Sequence, residues 1–482
     1  MTTTTEAATG ARRLRTVHPF IDADGTCSLL YDLERTLTIE VPRGFRRGLE
    51  RALASAAIDP RLSRWLIAED LLTTAPRRNW AEGALPRVPP VRDVSLDMSG
   101  ACNMGCAYCF EDDIGSRIGK MSTETALTAL DFAFAQAAGA ARIALHFGSG
   151  EPLLRFDLLQ RLVTEAERRV AVSGQQITFE LTTNASLVTP AIAGYLAAHP
   201  FNVRVSCDGP AHIHNRFRPL LGGQPSYAVV VRGLGRLLET MPARVTVNSV
   251  LAGKTRLTEL WEWAKELGVK HFHVIKVGAH PGRALNLDEE DIGRFRGDLE
   301  GICDDLFADL RDGEVPLDYQ PITKIVRRLM IPEPVTRFCG VAGSYLGVAS
   351  DGKVYPCFRH LGLERYELGD VWHGVSDDKR QAFLGQEAAS VDDRPICRDC
   401  WARYLCGGGC YADSTVYGPS KNEPQVQHCP YWRTEIELAI RFHRRLIQAD
   451  PTYCLRLFGD DPEMALQAVS GAPRFVERRN CL

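Results

Sequence analysis

Apolar and polar residues alternate with a period of two along several short stretches of this chain, and recur with a period near 3.6 between them. In the first ninety residues CSLLYD (27–32) and TLTIEV (36–41) read as strands, with Leu37, Ile39 and Val41 alternating on one face. A helix follows, in which Leu62, Trp65 and Leu66 recur at helical spacing behind Pro60, with Asp59 as its cap. The proline-rich Pro86-Arg-Val-Pro-Pro90 then predicts a domain boundary.

From Asp93 the rhythm changes. VSLDMS (94–99), RIALHF (142–147), ITFELTT (177–183), NVRVSC (202–207), RVTVNSV (244–250) and HFHVIKV (271–277) read as strands. Amphipathic helical stretches such as TETALTALDFAFAQAA and LTELWEWAKEL separate them. Six such units predict an α/β fold, a parallel sheet curved into a partial (β/α)6 barrel of the TIM type. In such a sheet the carboxyl ends of the strands form the active face. The segments ending or following the first five strands, CNMGCAYC, GSGEP, TTNAS, SCDGP and VNSV, are therefore expected to converge. The expected organisation is a small α+β module over 1–90, the barrel over 91–325, a cysteine-bearing domain over 326–440 and a helical tail over 441–482.

Composition narrows the function. With 482 residues, 45% of them hydrophobic and 24% charged, the chain has room for roughly three globular domains. The 57 Lys and Arg nearly balance the 60 Asp and Glu, for a net charge of −3, and no basic run would track phosphates, so neither nucleic acid nor a membrane surface is an expected partner. No stretch of ~18 apolar residues suggests a membrane span. MTTTTEAATGARRLRTVHPF has no apolar segment behind its arginines and is not a secretory signal, which points to the cytoplasm.

Fifteen cysteines are many for a cytosolic chain, where clustering signals metal or catalysis. Cys102, Cys106 and Cys109 fall within eight residues, and seven more lie between Cys339 and Cys429. Cys27, Cys207, Cys303, Cys454 and Cys481 are scattered and read as small buried hydrophobes. Four thiolates would saturate a tetrahedral zinc or the irons of a [4Fe–4S] cluster, whereas three leave one iron open to a small chelating ligand. S-adenosylmethionine suits that position, because one electron breaks its sulfonium bond and yields a carbon radical. A zinc loop completed by a distant ligand is the alternative.

CxxxCxxC with an aromatic, Tyr108, before its last cysteine resembles the hallmark of the radical S-adenosylmethionine enzymes. The resemblance extends in order along the strand ends. Ser149-Gly150-Glu151-Pro152 is similar to the family's GGEP, with Ser149 for the first glycine, and implies contacts to the methionine ammonium. Asn184 stands where the family touches the ribose. Ser206 and Arg218 stand where it approaches the methionine carboxylate, with Asn215 in place of the family's Asp, and Val250 where it packs on adenine.

The second cysteine group resembles the SPASM extension of a subset of these enzymes: C-x12-G-x4-C from Cys339 to Cys357, then Cys397, Cys400, Cys406, Cys410 and Cys429. That resemblance implies two auxiliary clusters, three [4Fe–4S] clusters in all. Cys397, Cys400, Cys406 and Cys429 would hold one, and Cys339, Cys357 and Cys410 the other, with an iron left open unless another residue closes it. The segments CAYCFED, MSTETA, SCDGP, PSYAVVVRG and CGGGCYAD resemble the maturases of cysteine-rich thioether peptides and the maturation enzyme of quinohemoprotein amine dehydrogenase. The implied activity joins a cysteine sulfur to a carbon in a precursor peptide or protein subunit, with an electron donor such as flavodoxin or ferredoxin, and the N-terminal module resembles a leader-peptide recognition element. Asp208, at the active rim, is the carboxylate expected to serve as base. Formylglycine formation, as in anaerobic sulfatase maturases, carbon-carbon cyclophane formation and a non-catalytic electron carrier are the alternatives. The acid such maturases carry after the second SPASM cysteine is absent, because Phe358-Arg359-His360 follows Cys357.

Overall fold

The computed structural model describes residues 13–22, 27–55, 58–75, 88–116, 119–280, 283–330, 334–418 and 422–458. Three antiparallel strands, β1 (Val17–Ile21), β2 (Cys27–Asp32) and β3 (Leu37–Glu40), form a meander in that order. Helices α1 (Arg46–Ser55) and α2 (Pro60–Ala68) close its core, which includes Leu30, Ile39, Leu49, Leu62 and Leu66. Asp59 caps α2 as expected, accepting from the amides of Arg61 and Leu62. β1 was not legible, since Pro19 interrupts a stretch with little alternation. His18 of β1 stacks on Trp401 at 4.2 Å, which ties this module to the rest of the chain. Residues 76–87, including most of the proline-rich stretch, lie outside the described residues.

The six strands read from the sequence are all present: β4 (Asp93–Leu96), β5 (Arg142–Phe147), β6 (Gln176–Thr183), β7 (Phe201–Ser206), β8 (Val245–Leu251) and β9 (His271–Lys276). They pair in parallel in sequence order, with the two-residue β10 (Asp318–Tyr319) beyond β9. The intervening helices α3 (Thr123–Gln136), α4 (Phe156–Ser173), α5 (Pro190–Ala198), α6 (Tyr227–Thr240) and α7 (Leu257–Glu266) each bury one face. Side-chain caps start some of them: Ser122 Oγ accepts from Thr125 N at 2.9 Å, and Thr189 Oγ1 from Ile192 N. β4 ends three residues earlier than the alternation suggested, because Asp97 Oδ1 accepts from Gly100 N and turns the chain into the cysteine loop.

The sheet does not stop at β4. On its other side β11 (Tyr345–Val348) pairs with β4 in parallel, and β12 (Lys353–Tyr355), β13 (Gly369–Asp370) and β14 (Gly374–Val375) continue it antiparallel to eleven strands. The second cysteine group is thereby brought beside the first. After β9 come the long helices α8 (Ile292–Asp312) and α9 (Gln320–Met330), which pack on α10 (Cys429–Ala449). The divisions expected at 325/326 and 440/441 fall within the spans of α9 and α10. Among the described residues no helix is long and apolar enough to cross a membrane.

Helix α6 approaches the turn after β6 so closely that a Cβ at Gly233 would overlap the carbonyl oxygen of Ala185, itself at φ +58° next to Asn184. Gly233→Ala is expected to destabilise the protein by about 1–3 kcal/mol, as overpacking does. Gly235→Ala, two residues on and with open space at its Cβ, should be neutral or stabilising by up to ~1 kcal/mol. Urea midpoints of the two variants measured side by side check this.

Candidate functional site

The loop Ala101–Cys109 leaves β4 and is pinned by a short antiparallel match with residues 217–221. Gly105 N and Ala107 N donate to the carbonyls of Pro219 and Phe217, both at 2.9 Å, and Leu221 N to Asn103 O at 3.0 Å. Cys109 precedes the short helix Phe110–Ile114. Met104 N lies 3.4 Å from Cys102 Sγ and Asn184 Nδ2 lies 3.9 Å from it, so a backbone and a side-chain amide both face the first sulfur. Asn184 also donates to Asn103 Oδ1 at 2.8 Å, which joins the loops after β4 and β6.

The GSGEP loop is fastened to the same place. Glu151 N donates to Ala101 O at 2.8 Å, and Gly150 N donates to Glu111 Oε1 at 2.8 Å. Gly150 lies at φ +59°, and a Cβ there would overlap the Ala101 carbonyl, so no other residue fits without moving the cysteine loop. The Glu151 carboxylate is buried and accepts from Leu153 N, Thr183 Oγ1 and Asn184 N, which links this loop to the one after β6. Burial raises its pKa to about 7, against those three donors. Ser149 is buried, and among the described residues its hydroxyl has no hydrogen-bond partner.

Asp208, expected from the sequence as a base, is completely buried. Its Oδ1 accepts from Val250 N at 2.9 Å, its Oδ2 lies 3.0 Å from Arg218 Nε, and the Tyr108 hydroxyl donates to the same Oδ2. The Arg218 guanidinium also sits over the Tyr108 ring at 5.3 Å. In this setting the carboxylate fixes its neighbours. Ser206 ends β7 opposite Asn248, and Val250 is buried near the end of β8. Asn215, where the family has Asp, accepts from the amides of Ser226 and Tyr227 at the start of α6, a task its amide oxygen performs equally well. Cys207 packs against His214 at 3.3 Å, and Cys27, Cys303 and Cys454 are buried; Cys481 lies outside the described residues.

Two sets are expected within the second cysteine group. Burial pushes the Cys357 thiol up, and the charges of Cys410 and Cys339 act in the same direction. Cys406 is raised to about 12 by burial and by Cys400, Cys397 and Cys429. Arg359 Nη1 lies 3.2 Å from Cys410 Sγ and 2.7 Å from Asp413 Oδ1, while its guanidinium covers the Phe110 ring at 4.9 Å. Phe110 follows Cys109 directly, so one arginine and one ring lie between the first cysteine loop and the three-thiol set. The sequence reading missed the parts played by Glu111, Arg359 and Asp413. For Asp413 a signal existed, because the third residue after Cys410 falls one helical turn on, and the structure shows that helix over Tyr411–Tyr417.

Residues 96–267 match the model of the Radical SAM superfamily. They form a radical SAM domain. The chain is 25% identical over 342 residues, 67% of its own length and 89% of the relative's, to the cysteine-type anaerobic sulfatase-maturating enzyme of Clostridium perfringens. It is 22% identical over 334 residues, 67% of this chain and 83% of the relative, to the PqqA peptide cyclase of Granulibacter bethesdensis. Among solved structures, anSMEcpe with bound AdoMet and Cp18Cys peptide aligns at TM-score 0.64 and 20% identity, over 75% of this chain and 99% of that one. SuiB of Streptococcus suis bound to precursor peptide SuiA aligns at 0.50 and 14%, over 82% and 95%. These structures share the fold, a partial TIM-type barrel with a C-terminal domain.

A radical SAM domain takes a [4Fe–4S] cluster and S-adenosylmethionine, and the residues present fit them: three thiols on a pinned loop, amides facing Cys102, and the unpartnered hydroxyl of Ser149 in the adjoining loop. Among the described residues no three His, Cys, Asp or Glu side chains converge as ligands of a single ion. A [4Fe–4S] cluster takes each thiolate on a different iron and does not require that convergence.

The Glu151 carboxyl generates a pH signature. Its folded pKa lies above the ordinary carboxylate value, so the folded state holds the proton more tightly, and stability falls as pH rises from about 4.5 through about 7. The slope is at most ~1.4 kcal/mol per pH unit for one proton. Apparent melting temperatures between pH 5 and 8 should decline more steeply for the wild type than for Glu151→Gln.

Proposed function

We propose that this protein is a radical SAM maturase with a SPASM-type extension, which forms a thioether between a cysteine sulfur and a carbon in a ribosomally made peptide or protein subunit. The observation that carries this reading is the contact between the two cysteine groups: Arg359 reaches Cys410 Sγ and covers the Phe110 ring next to Cys109, and Phe358, next to Cys357, packs on the same ring. When bound, the clusters and S-adenosylmethionine supply a carbon-centred radical that removes hydrogen and a Lewis-acidic iron that takes a thiolate.

The protein's own residues bind and orient. In this reading Ser149, Gly150 and Glu151 receive the methionine ammonium, Asn184 the ribose, and Ser206 and Arg218 the carboxylate, while Tyr108 and Val250 border the cofactor. Glu151 and Asp208 hold these loops in register through their buried hydrogen bonds. Arg359 donates toward Cys410, favours the thiolate there and keeps Asp413 beside it. The meander β1 to β3 with α1 and α2 is the assigned site of precursor capture, a peptide adding to an edge strand.

Sulfatase-type formylglycine formation is the second reading, favoured by the sulfatase-maturating relatives. The product separates the two. A thioether lowers the peptide mass by two hydrogens per bond, blocks alkylation of the linked cysteine and yields a cross-link in tandem spectra. Formylglycine reacts with a carbonyl reagent. Incubation of the anaerobically reconstituted enzyme with a cysteine-containing precursor should give the first result, and give none with Cys339→Ala or Cys410→Ala. A carbonyl-reactive product would replace the thioether reading.

Three clusters are expected, about twelve irons per chain. Replacing Cys102, Cys106 and Cys109 together by Ala should remove about a third of the iron and all reductive cleavage of S-adenosylmethionine. Deoxyadenosine formed by that variant would refute the assignment of the loop.

A further inference from the structure

The cations around the second cysteine group are distributed unevenly. Besides the exposed Arg398 on the loop itself and the exposed Arg433 near Cys429, four cationic side chains approach the loop 397–410. Arg394 is fully buried and donates to Gly408 O at 2.8 Å, to Ser414 Oγ at 3.1 Å and to Asn422 O at 3.1 Å. Arg328, from α9, donates to Leu405 O. Arg403 donates to Cys400 O at 3.2 Å and is balanced by Asp392 at 3.1 Å. Lys276, at the end of β9, is buried over Trp432 at 3.8 Å and balanced by Glu435.

Two of the four are therefore neutralised by carboxylates. Among the described residues Arg328 and Arg394 have no carboxylate within ion-pair distance, and all their recorded donors go to uncharged oxygens. Arg394 is fully buried and Arg328 half-buried, and a guanidinium taken out of water without a counter-charge is costly. The nearby groups able to become anionic are the thiols: Arg394 acts electrostatically on Cys397 and Cys429, and Arg328 on Cys406. A [4Fe–4S] cluster in its oxidised form on four thiolates carries a net charge of about −2. The two unbalanced guanidiniums match it.

The other cysteine sets carry less of this surplus: the three-thiol set has one such guanidinium, Arg337, two residues before Cys339, against two here. Arg359 beside Cys410 is paired with Asp413, and Arg218 beside Cys106 is paired with Asp208. Arg337, next to Phe338 in the chain, donates to the carbonyls of Leu384 and Ala388.

We propose that Arg328 and Arg394 are the counter-charge of a cluster on Cys397, Cys400, Cys406 and Cys429 and raise its reduction potential above that of the other sites. This rests on the cluster assignment made above. Reduction adds one negative charge to a site already ringed by fixed cations, so an electron entering the protein resides there in preference to the three-thiol sets. Both arginines are positioning residues that act through the electrostatic field and touch no substrate.

The test is a redox titration of the anaerobically reconstituted full chain followed by electron paramagnetic resonance, with the signal assigned by its loss in Cys406→Ala. In Arg328→Gln, which keeps a donor for Leu405 O and removes the charge, the reduced-to-oxidised ratio at the wild-type midpoint should fall at least tenfold, equal to about 59 mV for one electron. Arg328→Lys should restore most of it, and iron content should stay at the wild-type level in both. Arg394→Lys should likewise leave the potential near that of the wild type. An unchanged ratio in Arg328→Gln at full iron content overturns the electrostatic role. A Cys406→Ala protein that keeps every iron and every signal instead overturns the cluster assignment, so the two failures are distinguishable.

Discussion

One carboxylate holds the mouth of the barrel together. Asp208, after β7, receives the backbone amide of Val250 from β8, the hydroxyl of Tyr108 from the cysteine loop after β4, and the charge of Arg218 from the segment that zips that loop down. The group is shut off from solvent, so none of these partners can be exchanged for water. A buried pair of this kind contributes little net stability against an apolar replacement, yet losing one partner leaves a charge stranded, at about 3–5 kcal/mol. Its value is geometric. Three loops far apart in sequence are given one register, and the sulfurs of Cys102, Cys106 and Cys109 inherit it.

Glu151 repeats the principle one strand over. By accepting from Thr183 and Asn184 it clamps the loop after β5 to the end of β6, and its amide clamps both to Ala101. These two acids were legible as members of motifs, but motif position alone does not separate an acid that reacts from an acid that holds. What separates them is the number of donors converging on each and their burial, and both are properties of the assembled loops.

The strands of the barrel were readable because buried parallel strands impose runs of Val, Ile, Leu and Phe bounded by polar turns. RIALHF, read as 142–147, spans the observed strand end to end, and ITFELTT differs from its strand by one residue. The pairing of β11 with β4 was not readable, since YLGV is short and its partner lies some 250 residues away. The spaced glycine in the cysteine pattern did carry structural information. Gly352 lies in the β11–β12 turn at φ +85°, where a side chain is disfavoured, and it fixes the distance at which Cys357 follows the hairpin.

That hairpin decides what the chemistry can reach. Because β11 continues the barrel's own sheet, Cys357 and its neighbours ride on the same rigid element as the first cysteine loop instead of on a tethered domain. The contact between them is thin and specific: Phe110 packs on Phe358 at 5.7 Å, Arg359 covers Phe110, and Tyr417 donates to Asp113 of the helix after Cys109 at 2.9 Å. An arginine pressed between a ring and a thiol keeps its charge at a fixed distance from that sulfur, and its pairing with Asp413 cancels that charge over longer range. The four-thiol set receives the opposite treatment, with guanidiniums left unbalanced. The same residue type thus serves two ends, orientation where a carboxylate answers it and a lasting positive field where none does.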